Sequence, residues 1–487
     1  MAAPSNGEPP RVCVVNLGCR VNRVESDWME ESLAGFGCAM SDPEHAQVII
    51  VNSCAVTGEA QAKTRQAVRR AASRGGVLLV GVTGCAAALD AEGISGLSDK
   101  VVILPSKLTA AQDVIAAWRE RPAGPRASES SGEGHAPASR PDAAGLACEP
   151  ATDEPSLGAS PRGIAPGETP RDGAHLVERV RRGVKVQDGC DNRCTYCVVW
   201  KARGASRSVA LDRIDDEVAL VLSEGACEID LTGVNLGRFE ARGDDGRAMG
   251  LAGLIERVCS AARGRAVVRS SSLEPQDVTA DVLRAMARNA DVVCPHLHLP
   301  LQSGCDETLA LMRRRYDSAD FSRIARDARA TVAGMSLTTD VIAGFPGETE
   351  ERFERSLEFC RSMGFSKMHV FRYSARPGTP AASMAGQVDP EVSRLRARRL
   401  RELSREMRIR DARLRVGDVE HVIVERVDER GVARGSTGSY HDVVLDGGDL
   451  PSGGADPGLY EARLRDVDDG GVLHADALVR VRLVHEG

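Results

Sequence analysis

Three times within its first 85 residues the chain runs a short apolar stretch into a cysteine: VCVVN at 12–16 ahead of Cys19, VIIVN at 48–52 ahead of Cys54, and VLLVGV at 77–82 ahead of Cys85. Apolar runs of this length bounded by small polar residues read as buried strands, and the stretches 23–36 and 59–73 between them read as helices. Strand and helix in alternation make an open parallel α/β sheet, in which ligands gather outside the carboxyl ends of the strands. Cysteines 35 and 31 positions apart are thereby brought to one sheet edge. One buried thiol is ordinary core material, but three at the same place in a repeated unit are a candidate site. Cys13, Cys38, Cys148, Cys227, Cys259, Cys294, Cys305 and Cys360 have no comparable placement and are expected to be core residues.

A second trio is closer in sequence. KVQDGCDNRCTYCVVWKARG at 185–204 sets Cys190, Cys194 and Cys197 in a Cys-x3-Cys-x2-Cys run with no fourth cysteine nearby. Closed structural zinc and iron-sulfur sites take four protein ligands, and a catalytic metal keeps a position open. Three thiolates on a four-iron cluster leave one iron open; a zinc ion completed by His296 or His298 is the alternative. Tyr196 offers a ring to a purine or to ordinary packing. After this motif the strand-helix alternation resumes, with strand ends at LTG (231–233), SSSLEP (270–275), HLHLPLQSG (296–304), DVIAGFPGE (340–348) and HVFRYS (369–374). With the strand before Cys190 that makes six, and the expected architecture is a partial (βα) barrel with its site on the carboxyl-end face.

Composition divides the chain. Ala, Pro, Gly and Ser fill 34 of the 54 positions from 121 to 174, which reads as a flexible linker. The expected domains are 10–120, a linker at 121–174, 175–415, and a small β-barrel domain of Val-rich strands at 416–487. Residues 394–415 carry ten arginines against three acids, with Leu400, Leu403, Met407 and Leu414 at helical spacing. That is a basic amphipathic helix, open to RNA contact or to packing on a domain. Lys63, Arg65, Arg69, Arg70 and Arg74 form a second basic helix face. The net charge of −7 argues against a blanket nucleic-acid binder. No apolar run approaches the roughly 18 residues of a membrane span, and the first residues lack a charged leader and apolar core. A cytoplasmic, monomeric protein without membrane attachment is expected.

The motifs also occur together. LGCRVNRVESD, VNSCAVTGEAQAKTRQ, VTGCAA, VQDGCDNRCTYC, SSLEP, HLPLQSG and DVIAGFPGET, in this order over most of residues 10–415, resemble the radical S-adenosylmethionine methylthiotransferase family. VIVERVDERGVARGSTGSYHDVVL resembles the RNA-binding TRAM β-barrel. The resemblance implies two four-iron clusters, one on Cys190, Cys194 and Cys197 whose open iron S-adenosylmethionine chelates for reductive cleavage. The other is held by Cys19, Cys54 and Cys85 and supplies sulfur, while a second S-adenosylmethionine supplies the methyl group. It further implies cofactor contacts at Tyr196, Thr232, Gly233, Glu274, Ile342 and Gly344, and an electron donor such as flavodoxin or ferredoxin.

LGCRVNRVES is most similar to the branch acting on N6-threonylcarbamoyladenosine beside the tRNA anticodon, which makes the anticodon stem-loop the expected partner. The isopentenyladenosine branch carries Gln-Met-Asn after its cysteine, and the branch acting on a ribosomal-protein aspartate carries Pro-Lys-Asn. A non-catalytic iron-sulfur or zinc RNA-binding protein and a radical RNA methylase are the readings from other classes. Trp200 and Lys201 depart from the family, which has proline before Ala-Arg-Gly. The acidic stretch 416–487, with fifteen acids and seven arginines, is a poor electrostatic footprint for RNA.

Overall fold

The computed structural model describes residues 9–56, 58–121, 180–445 and 456–483. Cys148 and, apart from Arg121, the expected linker lie outside the described residues. The amino-terminal block is a sheet of five parallel strands in the order Ala39–Met40, Arg11–Asn16, Val48–Ser53, Leu79–Gly84, Val101–Ile103. Its strands bury both faces: Ile49, Val51, Val80 and Val82 pack with Val68 of the helix Gly58–Ala72, while Val48, Ile50 and Leu79 pack with Met29, Leu33 and Trp118. The two outermost strands are two and three residues long, too short for a periodic signal. The first helix, Arg20–Gly35, begins before the expected Arg23 because Cys19 occupies the N-cap without a side-chain cap bond, so no capping residue marks the start.

The central block contains six parallel strands: Arg181–Asp188, Glu228–Gly233, Val267–Ser270, His296–His298, Ser336–Ala343 and Lys367–Arg372. The two groups of three join through the parallel bridges Val268 to Val293 and Ser272 to His298. The first and sixth strands do not pair; the free side of the first carries the short antiparallel strand Arg207–Ser208 instead, so the barrel is partial. Strand alternation sends Val184, Ile229, Leu231, Leu337 and Val341 outward into the helix-covered core. The intervening positions, among them Asp230, Thr232, His298 and Asp340, face a polar lumen.

The amino-terminal sheet lies against the open side of this barrel. Val24 of the first helix fills the space that a Cβ at Gly183 would need, and Arg376, after the sixth strand, donates to the Ala55 carbonyl. At the amino ends of the barrel strands sits a closed five-stranded barrel, ordered Val419–Val427, Ala433–Thr437, Asp442–Leu445, Leu473–Leu483, Gly458–Val467. Its Ile423 and Leu459 share an apolar cluster with Val180, Cys227, Val267 and Cys294 of the central block.

The arginine-rich segment forms the helix Pro390–Leu414. Leu400, Leu403 and Met407 join the barrel core, but Leu414 is 74% exposed, because it is the last residue of the helix and projects past the edge it packs on. Several of its arginines are engaged within the chain: Arg396 with Glu348 and Glu350, Arg399 with Glu354, Arg408 with Asp442, Arg415 with Glu420. The helix is therefore a strut between the two barrels. Among the described residues no helix is long and apolar enough to cross a membrane.

Candidate functional site

Each cysteine of the first trio stands at a strand end. Cys54 directly follows Val48–Ser53, Cys85 opens the short helix after Leu79–Gly84, and Cys19 precedes the first helix. The Cys54 thiol is pushed up to about 11, first by burial and then by the neighbouring Cys19 and Cys85 thiols, against a backbone N–H from Val56. Such thiols stay protonated at neutral pH until a cation takes them as thiolates. The cysteines assigned to the core behave as such: Cys13, Cys38, Cys227, Cys259, Cys294, Cys305 and Cys360 are all buried.

The second trio occupies the loop after the first barrel strand. Burial, then Cys194 and Cys190, push the Cys197 thiol up to about 12, opposed by N–H groups of Val199 and Trp200 directed at its sulfur. Asn235 Nδ2 approaches Cys190 Sγ at 3.8 Å and Arg314 Nη1 approaches Cys194 Sγ at 3.3 Å. Donors aimed at sulfur stabilise thiolate and cluster charge. His296 and His298 do not join this trio. His296 Nε2 and His298 Nδ1 both meet the Thr338 hydroxyl, at 2.8 and 2.9 Å, and His298 Nε2 lies 3.3 Å from Asp340. Among the described residues no three His, Cys, Asp or Glu side chains converge on a single metal ion.

Arg203 connects the two trios. Its guanidinium bonds Asn22 Oδ1 at 2.7 Å, Glu25 at 2.7 Å and Asp188 at 3.1 Å, and it lies within electrostatic reach of the Cys85 and Cys19 sulfurs. Asp188 sits two residues before Cys190, and Asn22 three after Cys19. Glu25 also pairs with Lys107 and, at 2.6 Å, with Lys185. These cations hold its carboxyl down at about 2 against a burial effect that by itself would raise it.

The other expected contacts line the same rim. Thr232 is 1% exposed, and among the described residues its Oγ1 has no hydrogen-bond partner; the buried Asn235 Oδ1 and Ser271 Oγ have none there either. Three unsatisfied polar atoms at neighbouring strand ends suit a polar ligand, such as the amino and carboxylate groups of an amino acid. Gly233 packs on the side chain of Gln187. Glu274 is ion-paired with Arg314, which also meets the Tyr196 hydroxyl at 3.4 Å. Tyr196 and Ile342 border one apolar cluster with Phe345, whose ring stands edge-on to Tyr196 at 6.4 Å. Gly344 has φ +77°, its N–H donates to Glu348 at 2.8 Å, and a Cβ there would collide with Ser393, so only glycine fits this turn. Arg203 lies within the stretch 185–204, whose spacing marks the cysteines and not the arginine. Arg314 and Asn235 carried no signal, since their partners lie 120 and 45 residues away.

Comparison with known proteins agrees with this geometry. The radical SAM superfamily model matches residues 184–360, and one described as uncharacterized protein family UPF0004 matches residues 11–104. The chain is 32% identical to the threonylcarbamoyladenosine tRNA methylthiotransferase MtaB of Thermotoga maritima, across 89% of this chain and 91% of that protein. The chain belongs to the radical S-adenosylmethionine methylthiotransferases.

MtaB of Bacillus subtilis is 31% identical over 88% of this methylthiotransferase and 89% of its own length. A tRNA-2-methylthio-N(6)-dimethylallyladenosine synthase of Parafrankia is 41% identical over 52% of this chain and 50% of that protein. Among solved structures, the radical S-adenosylmethionine methyltransferase TsrM of Kitasatospora setae covers 76% of each chain with a TM-score of 0.51 at 14% identity, a likeness of fold. As a radical SAM enzyme, this methylthiotransferase works with a four-iron cluster and S-adenosylmethionine.

Proposed function

We propose that the protein adds a methylthio group to C2 of N6-threonylcarbamoyladenosine beside the anticodon of tRNA. The observation that carries this reading is the two cysteine trios, each following a strand, with Arg203 bridging Asn22 and Glu25 near the first to Asp188 near the second, in a chain 32% identical to an MtaB over most of its length. Cys190, Cys194 and Cys197 would hold the cluster that S-adenosylmethionine completes. Cys19, Cys54 and Cys85 would hold a second four-iron cluster. When bound, these groups supply the radical that activates C2 and the sulfur and methyl placed on it.

The side chains do the positioning. Thr232, Asn235 and Ser271 supply polar partners for the methionine part of S-adenosylmethionine, while Tyr196, Ile342 and the turn at Gly344 border its adenine. Gly233, next to Thr232 at the same strand end, leaves room for the Gln187 side chain that packs beside that site, and Glu274, fixed by Arg314, takes a ribose hydroxyl. The sheet domain closes the open side of the barrel, which limits solvent access to the reacting carbon. The expected setting is the cytoplasm, with an external electron donor of the flavodoxin or ferredoxin class.

The test is a nucleoside mass spectrum of tRNA from a deletion strain lacking redundant enzymes, before and after complementation. Loss and return of the methylthio-threonylcarbamoyl nucleoside supports the assignment. A change confined to the isopentenyladenosine derivative moves the enzyme to that branch. Anaerobic protein should contain about eight irons per chain and release deoxyadenosine from S-adenosylmethionine under reduction. Tightly bound zinc without cleavage would remove the enzyme reading.

A further inference from the structure

Three distant parts of the chain send side chains into the floor of the barrel lumen. Tyr440 comes from the carboxyl-terminal barrel, is 8% exposed, and stacks on His296 with ring centroids 4.5 Å apart. Its φ of +72° lies in the left-handed region, a conformation a bulky residue keeps only where its surroundings impose it. Arg20, the residue after Cys19, donates to the Tyr440 hydroxyl at 3.0 Å and to Asp230 at 2.7 Å, with its guanidinium carbon 5.8 Å from the ring centroid. Lys367, opening the sixth strand, brings its ammonium to 5.9 Å from the same centroid.

The charges around this ring are unequal in their partners. Arg269, also above Tyr440, is satisfied by Glu228 and by the Thr437 and Gly438 carbonyls. Arg181 has Glu228 and Glu425, and His298 has Asp340. Lys367 has no hydrogen-bond or ion-pair partner among the described residues, although it is partly buried. Arg20 keeps 29% side-chain exposure, and Asp340 and His298 keep 17% each, so solvent reaches this part of the lumen. A half-buried ammonium without a counter-ion, beside an arginine with donors to spare, is a receptor for an anion.

We propose that Lys367 and Arg20, gathered over the ring of Tyr440, bind the carboxylate of the substrate's N6 substituent. This rests on the threonylcarbamoyl reading, whose amino-acid side arm ends in a carboxylate a few bonds from the purine; the isopentenyl group has nothing for a cation to hold. Arg20 adjoins Cys19, so an anion bound there ties the side arm to the segment that carries one cysteine of the first trio. The carboxyl-terminal barrel, through Tyr440, then helps to build the specificity pocket of the catalytic barrel.

The experiment uses the reconstituted full-length enzyme and three anticodon stem-loop RNAs, bearing threonylcarbamoyladenosine, its side-chain amide, or isopentenyladenosine. For the wild type, kcat/KM is expected to favour the carboxylate over the amide by about tenfold or more, because the amide leaves the ammonium uncompensated. In Lys367→Met that preference should collapse to within about twofold, mostly through KM, and Lys367→Arg should restore much of it. Arg20→Gln should weaken the preference as well. Deoxyadenosine release without RNA reports that each variant remains folded and loaded. Equal loss on carboxylate and amide RNAs, or a wild type indifferent between them, overturns the receptor while leaving the threonylcarbamoyl reading in place. A wild type that prefers the isopentenyl RNA overturns the threonylcarbamoyl reading, and the receptor falls with it.

Discussion

Arg203 Nη1 of the catalytic barrel lies 2.7 Å from Glu25 Oε1 of the amino-terminal sheet domain, and both side chains are buried, at 5% and 2% exposure. Removing one partner of such a pair leaves an uncompensated buried charge. Glu25 faces three cations, Arg203, Lys185 and Lys107, which makes it the shared anion of the seam between the two domains. Glu25→Gln is expected to lower unfolding stability at pH 7 by about 3 kcal/mol, from a folded-state pKa of about 2 against an ordinary value near 4.5. Because the folded pKa is depressed, this contribution is complete above the unfolded pKa and is lost as pH falls toward the folded one. The gap between wild type and variant in urea midpoints should therefore shrink by more than half between pH 7 and pH 3.

The two cysteine trios make separable predictions. Cys54→Ala should lower iron by about four atoms per chain, abolish methylthio product and keep reductive release of deoxyadenosine. Cys194→Ala should abolish both product and cleavage. Iron analysis and chromatography of the two products check this, and a Cys54→Ala enzyme that still forms methylthio product would refute the sulfur role of the first trio.

Gly344→Ala puts a Cβ into Ser393 at a left-handed φ of +77°. Strain of this kind costs about 1–3 kcal/mol. The turn also orients Glu348 through the Gly344 N–H, so the variant should show a higher KM for S-adenosylmethionine and a lower melting temperature. Ser393→Gly combined with it should recover part of the stability, and the strain at φ should account for the rest.

Trp200 stands where the family resemblance leads one to expect proline, and its backbone explains what that exchange does. The Trp200 N–H is directed at Cys197 sulfur, beside the Val199 N–H at 3.4 Å. The indole stacks under the Arg193 guanidinium, 4.8 Å from the ring centroid, while Arg193 holds a left-handed φ of +52° within the cysteine loop. Trp200→Pro deletes one donor to that sulfur and the ring beneath Arg193. A positive dipole at sulfur favours the reduced cluster, so the variant's reduction potential should move to more negative values in a spectroelectrochemical titration.

What the sequence made legible follows from how far apart the interacting residues lie. An apolar run ending in a cysteine or in a polar, glycine-rich loop is a local signal, so the five-stranded sheet's three inner strands, the six barrel strands and the placement of both trios at strand ends could be read directly. The lumen could not. Its alternation of inward polar residues is hidden where strands are as short as His296–His298, and its pairs join residues 210 and 420 positions apart, as in Arg20 with Asp230 and Tyr440. The arginine helix was legible as amphipathic, but whether its charges faced RNA or the chain depended on Glu348, Glu354 and Asp442, none of which is local to it.

The carboxyl-terminal barrel carries structural weight for the catalytic one. Arg269 is 1% exposed, and two of its donors go to the Thr437 and Gly438 carbonyls. Truncation after Arg415 would leave those donors unpaired inside the lumen and uncover Val180, Cys227, Val267 and Cys294, which Ile423 and Leu459 now cover. A buried donor without its acceptor costs about 1–3 kcal/mol, and the exposed apolar patch adds to it. The truncated protein should therefore melt lower and aggregate, and deoxyadenosine release without RNA should fall along with tRNA binding. A separate RNA-binding appendage would lose only the latter, and the two measurements on one truncated preparation distinguish the cases.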